Sequence, residues 1–309
     1  MGLGLGAWRL GIVTVESGSC QSPSLGDLPW NLIGTFHCMH VVNLSRYLLV
    51  AAAVASCAAG VDLGVPAIPH RRVLFIGNSL TYFNNLPATV AAIARDNGDT
   101  IDVTMAAEPN LALIDHLNGM SAAPQLLRDS SWDVVVLQQG PTSTAVCRDS
   151  MVLWTGMIQP LIQRAGGASM TLMTWPAMSQ GDVWEPVHTT AVLAAASVHG
   201  VLAPAGDAWH LALVSHPGLE LYSKDGYHPS EIGSFLAALV VYQRLTGRDP
   251  RSLAPHGFSN GVAWPVLDAE TFGWLAAAAA AANAATPANP VAPNPVPPAV
   301  PRDPGAKSC

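Results

Sequence analysis

Val73-Leu74-Phe75-Ile76-Gly77-Asn78-Ser79-Leu80-Thr81 reads as four apolar residues in a row, a glycine, and then polar residues able to start a helix. A half-exposed strand would alternate apolar and polar positions, so an unbroken run closed by glycine predicts a strand buried on both faces. Runs of the same kind recur at Ile101 to Met105, Asp133 to Leu137, Ser169 to Thr174 and Gly200 to Ala203. Between them lie stretches of helical length and composition: Leu86 to Asn97, Leu111 to Arg128, Met151 to Ala165 and Glu185 to His199. Strands that alternate with helices are joined by crossovers, which place parallel neighbours in one sheet with helices on both faces. The expected fold class is therefore α/β, a three-layer α/β/α sandwich with a parallel, flavodoxin-like central sheet.

Working outward, Ser230 with Glu231 behind it predicts another helix start, and the apolar face through Ile232, Phe235, Leu236 and Leu239 runs on to a stop at Gly247. A last helix is expected over Asp268 to Ala285. Beyond it, residues 286–309 carry proline at short intervals, a composition that builds neither a helix nor a sheet interior and reads as an extended, disordered tail. The folded domain is placed at 71–285, after a linker at 58–70. At the other end, residues 1–38 show no sustained period and read as a non-native or disordered extension. Met39 to Cys57 has the form of an export signal: a weakly basic start, an apolar run from Tyr47 to Ser56, and small residues before Cys57. Val54-Ala55-Ser56-Cys57 also resembles a bacterial lipobox, which makes Cys57 the candidate lipidation site and the cell envelope, as a lipoprotein or secreted, the expected location. The apolar run is shorter than the roughly 20 residues that span a bilayer.

The chain of 309 residues carries a formal charge of -7 and only 11% charged residues. With no basic cluster to displace counterions from phosphates, nucleic acid is not an expected partner. Cys20, Cys38, Cys57, Cys147 and Cys309 follow neither metal-ligand nor C-x-x-C spacing, so neither a zinc site nor a disulfide framework is indicated, and Cys147 reads as a structural or surface thiol. His188, His199, His210 and His216 likewise lack ligand spacing, and no metal is expected.

Open parallel sheets carry their sites at the carboxyl ends of strands. Gly77-Asn78-Ser79 lies at such an end, where glycine allows a sharp turn and a serine can present its hydroxyl at a helix start. A serine hydroxyl is a weak nucleophile unless a base takes its proton and a third group orients the base. Asp225-Gly226-Tyr227-His228 supplies both, with His228 as base and Asp225 holding its tautomer. Alone, Gly-Asn-Ser could be a helix cap, and Asp225-Gly226 with His228-Pro229-Ser230 could be a turn leading into a helix. The two together, in this order around a βα pattern, resemble the first and last signature blocks of the SGNH (GDSL-like) hydrolase superfamily. The likeness extends over about 71–250 to Asn84-Asn85-Leu86-Pro87, Ala203-Pro204-Ala205-Gly206-Asp207 and Gly233-Ser234-Phe235, which are similar to a poorly characterised bacterial branch.

The resemblance implies ester hydrolysis through an acyl-serine intermediate with no cofactor, acting on small acyl esters, with acetylated carbohydrate as a candidate substrate. Its middle blocks depart from the family pattern. Ala106-Ala107-Glu108-Pro109-Asn110-Leu111 replaces the glycine block, and Leu137-Gln138-Gln139-Gly140 replaces the asparagine block. The oxyanion hole is accordingly assigned to the Ser79 backbone, Asn110 and Gln138, with Gln139 an open alternative to Gln138; Asn78, Gln139 and Trp175 are candidate substrate contacts. Trp154 and Trp209 are assigned to core packing, while for Trp175, directly after the fourth strand, pocket and core both remain open. The altered blocks keep two other readings in view, a catalytically weak glycan-binding surface protein of the same fold and an acyltransferase to a sugar hydroxyl.

Overall fold

The computed structural model describes residues 69–253 and 267–300, all within one compact unit, Ala67–Cys309. The expectations for 1–38, for the export signal with Cys57, for most of the 58–70 linker and for 301–309 lie outside the described residues.

Five strands form one all-parallel sheet: β1 (Arg71–Gly77), β2 (Ile101–Ala107), β3 (Val134–Gln138), β4 (Ala168–Leu172) and β5 (Val201–Ala203). Their order is β2-β1-β3-β4-β5, the flavodoxin-like arrangement, so the expected three-layer sandwich is what the chain forms. The helices are α1 (Ser79–Tyr82), α2 (Leu86–Asp96), α3 (Leu113–Leu117), α4 (Ala123–Asp129), α5 (Ala145–Arg164), α6 (Trp184–Ser197), α7 (Ala205–Ser215), α8 (Glu231–Thr246) and α9 (Ala269–Ala285). Among the described residues no helix is long and apolar enough to cross a membrane.

The period of two along β1 explains why its apolar run is unbroken. Val73 and Phe75 enter one core with α2, α7, α8 and α9, whereas Leu74 and Ile76 enter a second with α3, α4 and α5. All four are fully buried. Helix α8 starts and stops as the sequence indicates: the Ser230 hydroxyl accepts from the Gly233 N–H at 3.1 Å, and Gly247 closes it in the left-handed region at φ 75°.

Several expectations are corrected. The single helix over Leu111 to Arg128 is two, because Gly119 takes φ 84° and Pro124 opens the second. Helix α5 begins at Ala145, earlier than Met151, and α7 was not foreseen; it starts directly after Pro204, and its Gly206 lies so close to the segment that follows β4 that a Cβ would meet the Thr174 carbonyl oxygen at 2.3 Å. Cys147 is disulfide-bonded, not a free thiol. The tail is also not loose over 286–300. The Leu202 N–H donates to the Ala288 carbonyl at 2.7 Å, Arg148 Nη1 to Pro297 at 2.8 Å, Arg244 Nη2 to Thr286 at 2.6 Å, and the Val300 N–H donates to Ser143 at 3.0 Å. Proline removes backbone donors but leaves carbonyl acceptors, so the strap is held by donors from Leu202, Arg148 and Arg244 of the domain together with its own non-proline donors at Thr286, Asn289 and Val300.

Candidate active site

The strand order reverses between β1 and β3, and that switch point is where loops diverge and leave a crevice. The Ser79 loop leaves β1 there and Gln139 leaves β3. A cavity of about 410 Å³ opens at this place, lined by Asn78, Ser79, Asn110, Leu111, Ala112, Ile114, Asp115, Gln139, Gly140, Trp154 and Tyr227.

Ser79 opens the short helix α1. Asn78 shapes the approach: its side-chain oxygen accepts from the Leu80 N–H at 3.2 Å while its Nδ2 donates to the Leu111 carbonyl at 3.1 Å. Below the turn, Gln138 Oε1 accepts from the Asn78 N–H at 2.8 Å and from the Thr81 hydroxyl at 2.7 Å. Gly77 is required here, because a Cβ would stand 2.5 Å from both Gln138 Oε1 and the Thr81 hydroxyl oxygen.

The imidazole of His228 arrives from the far end of the chain. His228 Nε2 lies 2.9 Å from the Ser79 hydroxyl, and Nδ1 lies 2.5 Å from Asp225 Oδ2. Asp225 Oδ1 accepts from the Ser223 hydroxyl at 2.7 Å and from the backbone N–H groups of Tyr227 and His228 at 2.9 Å each. The His228 hydrogen bond first, then the Tyr227 N–H and the Ser223 hydroxyl, hold this carboxyl well below the usual carboxylate range. Gly226, at φ 68°, makes the tight turn that lets Asp225 reach back to His228. Phe83 stacks on the imidazole with centroids 4.1 Å apart. Asn84 Nδ2 ties the two halves of the site together, donating to the Pro229 carbonyl at 3.0 Å and the Ser234 hydroxyl at 2.9 Å.

Ser79, Asp225 and His228 are thus brought into one hydrogen-bonded line by residues 149 positions apart. Asn110, at φ 61°, and Gln139 stand at the same cavity. Gln138 does not line it; its amide lies under the Ser79 turn, because the side chain at the strand end points into the layer below while the next residue turns to the crevice. Trp175 is also displaced from its expected place as a substrate contact. It is 1% exposed, stacks on Trp209 at 3.6 Å, and donates from Nε1 to the Tyr227 carbonyl at 3.1 Å, so it buttresses the Asp225–His228 loop from within the core. Trp154, assigned to the core, packs partly against it and also lines the cavity.

Sequence reasoning passed over His116. The ring is fully buried, with Nε2 3.0 Å from the Gly77 carbonyl oxygen and Nδ1 2.6 Å from the Ser121 hydroxyl. A carbonyl only accepts, so the proton sits on Nε2 and Nδ1 accepts from Ser121. Burial lowers the His116 pKa from 6.5, against smaller upward contributions from the Gly77 hydrogen bond, Asp115 and Glu108. The folded pKa lies below the unfolded one, so the stability due to neutral His116 is present above about pH 6.5 and declines as pH falls through the window beneath it. His188, raised by its Asp207 hydrogen bond, acts in the opposite direction. Thermal melts of the wild type and His116→Gln between pH 7.5 and pH 5 are expected to show a steeper acid-side loss in the wild type; parallel curves would remove His116 from the account.

Among the described residues there is no group of three or more His, Cys, Asp or Glu able to hold a metal ion. No family model and no curated protein matches this chain. Among solved structures it is similar to a DUF4886 family protein from Bacteroides uniformis, with 20% identity, 69% of this chain and 95% of that chain covered, and a TM-score of 0.57. It is also similar to a protein from Slackia heliotrinireducens assigned as an SGNH hydrolase, with 28% identity, 57% and 98% covered, and a TM-score of 0.48. A psychrotrophic esterase from Pseudoalteromonas matches at 11% identity, 56% and 95% covered, and a TM-score of 0.41. With five parallel strands in the order β2-β1-β3-β4-β5 and helices on both faces, this chain shares its fold with the DUF4886 family protein.

Proposed function

We propose that the protein is a serine-dependent carboxylic ester hydrolase acting on small acyl esters. The observation that carries this reading is the line Ser79–His228–Asp225, with both hydrogen bonds at 2.9 Å or less, at the switch point of the sheet. His228 takes the proton of Ser79 as its oxygen attacks the acyl carbonyl carbon. The tetrahedral intermediate collapses as the bond to the alcohol oxygen breaks and His228 returns the proton to that oxygen. Water, activated by the same imidazole, then attacks the acyl-serine and releases the acid, restoring Ser79. Asp225 stays ionised and balances the imidazolium that forms in each half.

The developing oxyanion needs donors fixed in advance. The Ser79 N–H, the Asn110 region and Gln139 fill this role. Gln139 is favoured over Gln138 because it borders the cavity, where its Oε1 is pinned by the Leu113 N–H at 3.1 Å; the Nε2 of both glutamines is without a hydrogen-bond partner among the described residues. Gln139→Glu keeps the acceptor for Leu113 and replaces the donor with a charge of the wrong sign. Its kcat is expected to fall at least about a hundredfold; near-wild-type kcat would place the donor elsewhere.

Acetylated carbohydrate is the candidate natural substrate. The primary test is turnover of a short-chain activated acetate ester together with fluorophosphonate labelling. Turnover and labelling together support the hydrolase; a folded protein that shows neither, yet binds a polysaccharide saturably, would replace it with a glycan-binding role.

A further inference from the structure

The cavity beside Ser79 has a direction relative to the catalytic groups. For His228 to protonate the departing alcohol, that oxygen must come within hydrogen-bond reach of Nε2, which stands 2.9 Å from the Ser79 hydroxyl. His228 is not among the residues that line the cavity. The alcohol portion is therefore held on the His228 side, and the cavity is left for the acyl portion. Its apolar wall comes from Leu111, Ile114 and Trp154.

Resting on the ester-hydrolase reading, we infer that Trp154 is the specificity-determining wall of an acyl pocket and restricts the enzyme to short, uncharged acyl groups. Trp154 sits on α5, partly buried, and packs against the core that contains Leu74, Ile76 and Leu137. Packing on that side limits its rotamers, so the indole is a fixed boundary and not a gate. At about 410 Å³ the space is near the small end of ligand cavities. Asp115 lines the same cavity, its Oδ2 accepting from the Ala112 N–H at 2.8 Å, and its charge opposes an acyl group that carries a second carboxylate.

The test compares kcat/KM for p-nitrophenyl acetate, butyrate, hexanoate and octanoate in the wild type, Trp154→Ala and Trp154→Leu. The wild type is expected to decline along the series. Removing the indole opens room for added methylenes, so the octanoate-to-acetate ratio is expected to rise at least about tenfold in Trp154→Ala. Trp154→Leu, which keeps an apolar residue on the core side, is expected to shift the ratio in the same direction and covers the case in which the alanine variant does not fold. An unchanged ratio in a variant still labelled by fluorophosphonate overturns the inference while leaving the hydrolase intact, as does a wild type that prefers octanoate. A wild type with neither turnover nor labelling fails at the earlier step and removes both.

Discussion

Ser79→Ala is expected to reduce ester turnover by roughly a millionfold and to abolish fluorophosphonate labelling, because loss of the nucleophile from a cooperating triad costs about as much as loss of the whole triad. The fold should survive. Ser79 is 7% exposed, and its side chain contributes the bond to His228 but no cap and no part of the core. The structural bonds around it belong to neighbours: Asn78 caps α1, and Gln138 braces Asn78 and Thr81. A circular dichroism melt beside the activity assay separates the two effects. Turnover that persists in a clean preparation of the variant would sink the triad assignment, whatever the stability.

Asp225→Asn is expected to lower kcat by about ten-thousandfold while leaving the loop in place. The asparagine oxygen can still accept from the Tyr227 and His228 N–H groups and the Ser223 hydroxyl, which now meet Oδ1. The group facing His228 Nδ1 then becomes an amide, which cannot balance the imidazolium and can present a donor where an acceptor is needed. The pH behaviour gives a second readout. Asp225 has a folded pKa below its unfolded value of 3.8, so its stabilising contribution is present above that value and is lost as pH falls through the folded pKa. Asp225 therefore stays charged through the whole range in which a histidine titrates, and any loss of wild-type activity between pH 7 and pH 5 belongs to another group. A wild-type acid limb that disappears in Asp225→Asn while kcat is retained would contradict this.

The two glutamines after β3 show why a sequence reads some features and not others. Gln138 and Gln139 are adjacent and chemically identical, and one position in register decides which lies under the Ser79 turn and which meets the crevice. Alternation along a strand is a period of two, so an uncertainty of one residue in the end of β3 exchanges their roles. The cavity face of Trp154 and the core place of Trp175 were not decided by the sequence for a related reason. An indole serves a core or a pocket wall equally well, and which it does depends on the helix face or strand end from which it projects, relative to partners distant in the chain. His116 was not singled out because, beside the nearby Ser121 hydroxyl, the partner that sets it under the Ser79 turn is the Gly77 carbonyl, 39 residues away.

What the sequence by itself determined is whatever short-range chemistry dictates. Unbroken apolar runs separated by helical stretches required a covered parallel sheet, Ser230 and Gly247 bounded α8, and the spacing of Asp225 and His228 set an acid beside an imidazole. Only the tertiary structure decided the rest: that Ser79 and His228 meet, that Gln139 and Trp154 face the cavity, and that residues 286–300 lie along the domain as a strap. Each of these depends on contacts between segments far apart in the chain, formed when burial of β1 on both faces draws the layers together, and no local pattern of residues encodes such a contact.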